Sequence, residues 1–231
     1  MIDCADSPQI CSHGPLNSWD RSPYVTLRGA TPGDATTTPA WRHIERNLLV
    51  TAGEWALDHD DGSRFMVDES NVCVYGGIKQ SYHGYSINAT RNIFIRPDLG
   101  CGNTYCLQHY ASGVDSPKTL DQWFENNTCI LGDNLTFGLD VGAGYVDPRQ
   151  FLIHFWPVWN ATNCRLAPSS SVDTQLVGNT IMTPSGHYDG WPCNVSSFAA
   201  WQALGFDKRG RVAKAPSAAG TMSLARHALG I

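Results

Sequence analysis

The sequence predicts an all-β fold, a right-handed parallel β-helix closed by short C-terminal capping helices. Three observations predict it: an Asn-plus-apolar strand cassette that recurs along the chain, a turn-rich content of 22 Gly and 13 Pro, and few helix-forming runs before the last fifth. With 231 residues, 42% of them hydrophobic, the chain is long enough for one domain with a substantial core. Residues 1–231 are therefore read as one domain, with coils over about 1–195 and a cap over 196–231.

The cassette occurs as Glu45-Arg-Asn47-Leu-Leu-Val50, Glu69-Ser-Asn71-Val-Cys-Val74, Thr90-Arg-Asn92-Ile-Phe-Ile95, Glu125-Asn-Asn127-Thr-Cys-Ile130 and Val177-Gly-Asn179-Thr-Ile-Met182. The Asn residues are 24, 21, 35 and 52 positions apart. One coil is then 21 to 26 residues, provided that Phe151–Phe155 splits the longest interval and a loop within Cys101–Lys118 extends the 35-residue one. Asn suits the bend before each strand because it tolerates a left-handed backbone, and its amide can bond the Asn of the next coil. Alternation along the strand places Leu48 and Val50, Val72 and Val74, and Ile93 and Ile95 inward. Leu49, Cys73, Phe94, Cys129 and Ile181 then face outward under some covering segment. A β-sandwich with Asn-rich turns reads similarly and remains the alternative. Ser197 and Gly205 bracket one short helix and Met222–Leu229 forms another, together a plug over the end of the stack. The cassette is absent before residue 45, so the opening coils are expected to be irregular or missing.

With the cassette as a ruler, His59 and His83 each lie twelve residues after an Asn and should stack in one column. Ser12-His13-Gly14 echoes Tyr82-His83-Gly84 and extends that column to His13. Around it fall Asp20, Arg21, Asp58, Asp60 and Lys79. Such a set fits uronic-acid chemistry, in which a cation neutralises the sugar carboxylate, a base removes the C5 proton and an acid completes elimination or epimerisation. Trp19, Trp41, Trp55 and Tyr82 offer stacking faces for sugars. A hydrolase would instead use one alternate pair among Asp58, Asp60 and Asp61. The plain readings of the same residues are a structural His ladder, an Asp-Gly turn, or a Ca²⁺ site at Asp58 and Asp60. No other cofactor is implied.

Eight cysteines, with Cys4, Cys11, Cys101, Cys106, Cys164 and Cys193 in turn-like surroundings, favour disulfides over zinc, since no CxxC pair occurs. Cys73 and Cys129 read as buried thiols. Acceptor sequons at Asn88, Asn126, Asn134, Asn160 and Asn194 add to the expectation of a secreted glycoprotein, although no export signal opens the chain. A net charge of −5 with scattered Lys and Arg argues against nucleic acid and acidic lipid as partners, and no segment has the length of a membrane span. A monomer binding polysaccharide is expected.

The stretches Ser12–Arg21, Pro39–His43, Leu57–Ser63, Asn71–Gly77 and Phe198–Gly205 carry a resemblance. In order and content the chain resembles the right-handed β-helix repeat proteins of algae and other eukaryotes, distant relatives of pectate-lyase-like carbohydrate enzymes. Ser12 stands where that pattern has an acid, and Lys79–Gly84 is only similar to its segment. The resemblance implies the fold and a secreted carbohydrate-active protein, a polysaccharide lyase or uronan epimerase acting on acidic polysaccharide. A glycoside hydrolase and a non-catalytic glycan-binding or cell-wall structural protein are the alternatives. Fold alone does not choose among them.

Overall fold

The computed structural model describes residues 14–19, 40–51, 55–60, 63–80, 85–97, 106–110, 122–132, 139–141, 145–147, 153–156, 159–160, 165–166, 174–188, 196–203 and 207–231. Among them the chain is all-β apart from two short helices. It makes repeated circuits of three strands. The first circuit is β1 (Leu16–Trp19), β2 (Arg42–Glu45) and β3 (Leu48–Val50); the second is β4 (Trp55–Asp60), β5 (Arg64–Glu69) and β6 (Val72–Val74). The third is β7 (Gly77–Gln80), β8 (Tyr85–Thr90) and β9 (Ile93–Ile95); the fourth is β10 (Leu107–Tyr110), β11 (Gln122–Glu125) and β12 (Thr128–Ile130).

A hairpin, β13 (Leu139–Val141) with β14 (Tyr145–Asp147), precedes β15 (Ile153–Trp156), and a second, β16 (Trp159–Asn160) with β17 (Arg165–Leu166), follows it. The fifth circuit ends with β18 (Thr174–Val177) and β19 (Thr180–Thr183), then come α1 (Phe198–Ala203), β20 (Arg211–Lys214) and α2 (Ala218–Leu229).

Each strand pairs in parallel with its counterparts in the neighbouring circuits. The first sheet is β1-β4-β7-β10-β15, the second β2-β5-β8-β11-β18, and the third β3-β6-β9-β12-β19-β20. Parallel pairing across a fixed cycle is what a repeat produces and an antiparallel sandwich does not. The three parallel sheets are compatible with a parallel β-helix.

The cassette Asn residues form the expected ladder. Asn47 donates to Asn71 at 3.0 Å, Asn71 to Asn92 at 3.0 Å, Asn92 to Asn127 at 3.0 Å and Asn127 to Asn179 at 3.3 Å, each through Nδ2 to Oδ1. The backbone N–H of each donor Asn bonds the same Oδ1. Two donors on one acceptor fix both the corner and the register. The left-handed backbone falls one residue earlier than expected, on Arg46, Ser70, Arg91, Asn126 and Gly178. A sixth rung, invisible as a cassette, is Asp207, whose Oδ1 accepts from Asn179 N at 3.0 Å and from its Nδ2 at 3.4 Å.

The buried ladder reverses the expected facing of the cassette strands. Asn71, Asn92 and Asn127 point inward, so alternation turns the next residue out and the one after it in. Leu49, Cys73, Phe94, Cys129 and Ile181 are the core, while Val72, Ile93 and Ile130 lie on the outer face. That outer face is covered by α2, through Ala225, Leu224, Ala228 and Leu229. The helices therefore do different things: Trp201 and Phe198 of α1 join the core cluster with Leu176 and Ile181, whereas α2 lies along the flank. Ser197 caps α1 as expected, accepting from Ala200 N at 3.2 Å.

The 52-residue interval is one circuit and not two, because Asn127 and Asn179 are bonded directly. Phe155 belongs to β15 in the first sheet, and the two hairpins on either side of β15 account for the extra length. Cys106 and Cys129 form a disulfide across the core of the fourth circuit, so Cys129 is not a thiol; Cys73 is a free, buried one. Burial first, and the Asp68 charge second, push the Cys73 thiol far up, which keeps it protonated. Cys4, Cys11, Cys101, Cys164 and Cys193 lie outside the described residues.

Candidate functional site

Strand β4 reads Trp55-Ala-Leu-Asp58-His59-Asp60, and alternation sorts its last four residues onto two faces. Leu57 and His59 turn inward; Asp58 and Asp60 turn outward. In the parallel register Asn17, Asp58 and Lys79 form one outward column across three strands, in line with positions 108 of β10 and 154 of β15. Ser18, His59 and Gln80 form the inward column beside it.

On the outer face Lys79 Nζ lies 2.9 Å from Asp60 Oδ2 and 3.5 Å from Asp58 Oδ1. Asp58 is fully buried, and its Oδ2 accepts from Asn17 Nδ2 at 2.8 Å and from Gly14 N at 3.3 Å. Gly14 permits that approach, because a Cβ there would sit 2.5 Å from Trp55 O and 3.3 Å from Asp58 Cβ. Burial works to lower the Lys79 pKa, but the charges and hydrogen bonds of Asp58 and Asp60 outweigh it and hold the ammonium above its ordinary value. The expected Ca²⁺ pair, Asp58 and Asp60, thus has an ammonium between its carboxylates. Among the described residues no group of three or more His, Cys, Asp or Glu gathers as a metal site.

On the inner face His59 is wholly buried. Its Nε2 lies 2.7 Å from Asp68 Oδ2 and its Nδ1 2.9 Å from Ser18 Oγ. Ser18 Oγ donates to Ser63 Oγ at 2.9 Å, and Ser63 Oγ in turn donates to the carbonyl oxygens of Ser18 at 2.6 Å and Asp60 at 2.8 Å.

The structure thus joins Asp60 and Lys79 but separates His59 from them, through the sheet. The register partner of His59 in the neighbouring strand is Gln80, nine residues after Asn71 and not twelve. The Asn ruler slips by three residues here, because the segment from β3 to β4 is longer than that from β6 to β7 and a register shift falls between Trp55 and Leu57. His13, Asp20, Arg21, Tyr82 and His83 lie outside the described residues, and Trp19 is described as strand only. Trp55 is 1% exposed and offers no face to a sugar; Trp41, at 45%, is exposed and packs T-shaped against Phe65. Of the sequons, Asn126 is exposed at a left-handed bend and Asn88 is half-buried in β8. Asn160 is described as strand only, and Asn134 and Asn194 are outside the description.

Sequence reasoning passed over Asn17, Ser18 and Asp68. A signal for Asp68 exists: the residue three before each ladder Asn is Ile44, Asp68, Ala89, Phe124 and Leu176, so a carboxylate interrupts an apolar core column. Asn17 and Ser18 precede the first cassette and had no ruler.

No family model, curated protein or solved structure matches this chain. The parallel architecture is compatible with a β-helix, and the site is read from its geometry.

Proposed function

We propose that the chain is an exported, right-handed parallel β-helix that binds a polysaccharide across the outer face of its first sheet, with Asp60 and Lys79 as central contacts. The observation that carries this reading is the convergence of Asp58, Asp60 and Lys79, from two adjacent strands, on one sheet face. Asp58 is the buried anchor that positions Lys79, and the less buried Asp60 is the group a ligand hydroxyl can reach. In the strand register, positions 108 and 154 follow Lys79, one strand spacing of ~4.8 Å at a time. A buried disulfide and an exposed sequon at Asn126 support the extracellular setting.

Of the chemistries open to such a protein, elimination and epimerisation are the less favoured. They need a base beside the sugar, and of the candidates among the described residues His59 faces inward and Lys79 is held as a cation. Hydrolysis is the second reading, favoured by the shared face of Asp58 and Asp60.

The test is affinity electrophoresis of the whole protein through neutral and acidic polysaccharides, with parallel assays for unsaturated uronate and for new reducing ends. Retardation by at least one polysaccharide, weakened about tenfold or more by Asp60→Ala with no unsaturated product, is expected. New reducing ends lost in Asp60→Asn would move the reading to hydrolysis. Retardation by none would overturn it.

A further inference from the structure

The inward column holds a constellation that polysaccharide binding does not use. Ser18 Oγ, His59 and Asp68 Oδ2 are linked in sequence at 2.9 and 2.7 Å, drawn from β1, β4 and β5 of two sheets. A nucleophile, a base within hydrogen-bond reach and a carboxylate that orients the base are recognised by geometry and not by chain order. His59 and Asp68 are fully buried, while Ser18 is only half-buried, so the chain of bonds runs from the core towards its most accessible member. A second observation points to a ligand. Asp68 Oδ1 and both polar atoms of the Gln80 amide are buried without a hydrogen-bond partner among the described residues, and Gln80 is His59's neighbour in the column.

We propose that Ser18 is an activated nucleophile for acyl transfer from a small carboxylic ester, with His59 as its base and Asp68 as the residue that positions His59. The Ser18 O–H, which donates to Ser63 Oγ at rest, turns to His59 Nδ1, and its proton passes there as Oγ bonds the ester carbonyl carbon. Asp68 holds the Nε2–H of the resulting imidazolium. The carbon–alkoxide bond breaks, the departing alkoxide takes the proton from Nδ1, and an acyl ester remains on Ser18. Water then attacks that ester, gives its proton to Nδ1 and its hydroxyl to the acyl carbon, and Ser18 leaves with the proton restored. The ring presents Nδ1 to the nucleophile and Nε2 to the carboxylate. A short acyl group is specified because Ser18 is half-buried.

The test combines fluorophosphonate labelling, read by peptide mass, with hydrolysis of p-nitrophenyl acetate by the whole protein. Expected are a single adduct on Ser18 and esterase turnover that falls by on the order of 10³-fold in Ser18→Ala and His59→Gln. Ser18→Ala is to retain the wild-type thermal midpoint within a few degrees; if it unfolds, Ser18→Cys, assayed with a thiol-directed acylating probe, replaces it. Asp68→Asn is expected to slow labelling and to shift its pH profile, which a loss of packing alone does not do. Absence of any Ser18 adduct on the folded wild type, or wild-type turnover in Ser18→Ala, overturns the proposal. Ser18 labelling and retardation by polysaccharide are separate readouts on the wild-type protein, so failure of the polysaccharide reading and failure of this one are separable.

Discussion

At the scale of single residues, the end of the amide ladder is set by a change of one atom. A carboxylate accepts hydrogen bonds without needing to donate any, so Asp207 ends a column in which every Asn passes a donor onward. Burial pushes the Asp207 carboxyl up to about 6, against the lowering effect of hydrogen bonds from Asn179 and Gly178. A folded-state value above the unfolded one means that the native state holds the proton more tightly. The associated stability is therefore full below about pH 4 and is lost as pH rises towards about 6, by up to about 3 kcal/mol. Urea midpoints of wild type and Asp207→Asn at pH 4 and pH 7 check this: the difference between the two proteins should change by that amount in that direction. Lys79 supplies a second case. Replacing it with Met leaves Asp58 buried without its Lys79 ion pair, and a loss of about 3–5 kcal/mol is expected by chemical unfolding.

At the scale of elements, α2 acts as the cover of the third sheet. Its Ser217 cap accepts from Gly220 N at 3.2 Å, and Gly230 closes it with a left-handed φ of 77°, so its ends are satisfied locally and its attachment rests on the apolar face. Ala225 is the buried centre of that face against Val72, Ile93 and Ile130. Ala225→Arg is expected to cost about 1–3 kcal/mol by urea unfolding, whereas Met222→Glu on the exposed side should stay within about 0.5 kcal/mol. The two helices were both legible in the sequence from Ser197 and from the apolar run at 222–229. Which of them plugs the core was not, since an amphipathic stripe says that a face is buried but not against what.

At the scale of the whole molecule, stability is expected to depend on contacts between neighbouring circuits, and the interior disulfide clips one circuit shut. Cys106 and Cys129 are 23 residues apart, and opening their bond is expected to cost about 3 kcal/mol, read as a lowered unfolding midpoint in the Cys106→Ser/Cys129→Ser protein. The repeat itself was legible because a buried amide needs a fixed partner every circuit, which forces Asn to recur at 47, 71, 92, 127 and 179. Circuit length carries no such constraint: insertions at the corners, such as the hairpins around β15, leave the ladder intact. That is why the spacing misled the count of coils in the 52-residue interval.

The sequence by itself determined the all-β class, the Asn rungs, the alternation of each strand and the closeness of Asp58, Asp60 and Lys79, since each follows from local periodicity and from repetition. Tertiary structure alone decided which face of the cassette is the core, and that His59 turns inward to Ser18 and Asp68 while Lys79 turns outward to Asp60. The physical reason is that period-two alternation fixes which residues share a face but leaves its sense open, and that sense is set by the buried ladder and by corner lengths that differ from circuit to circuit.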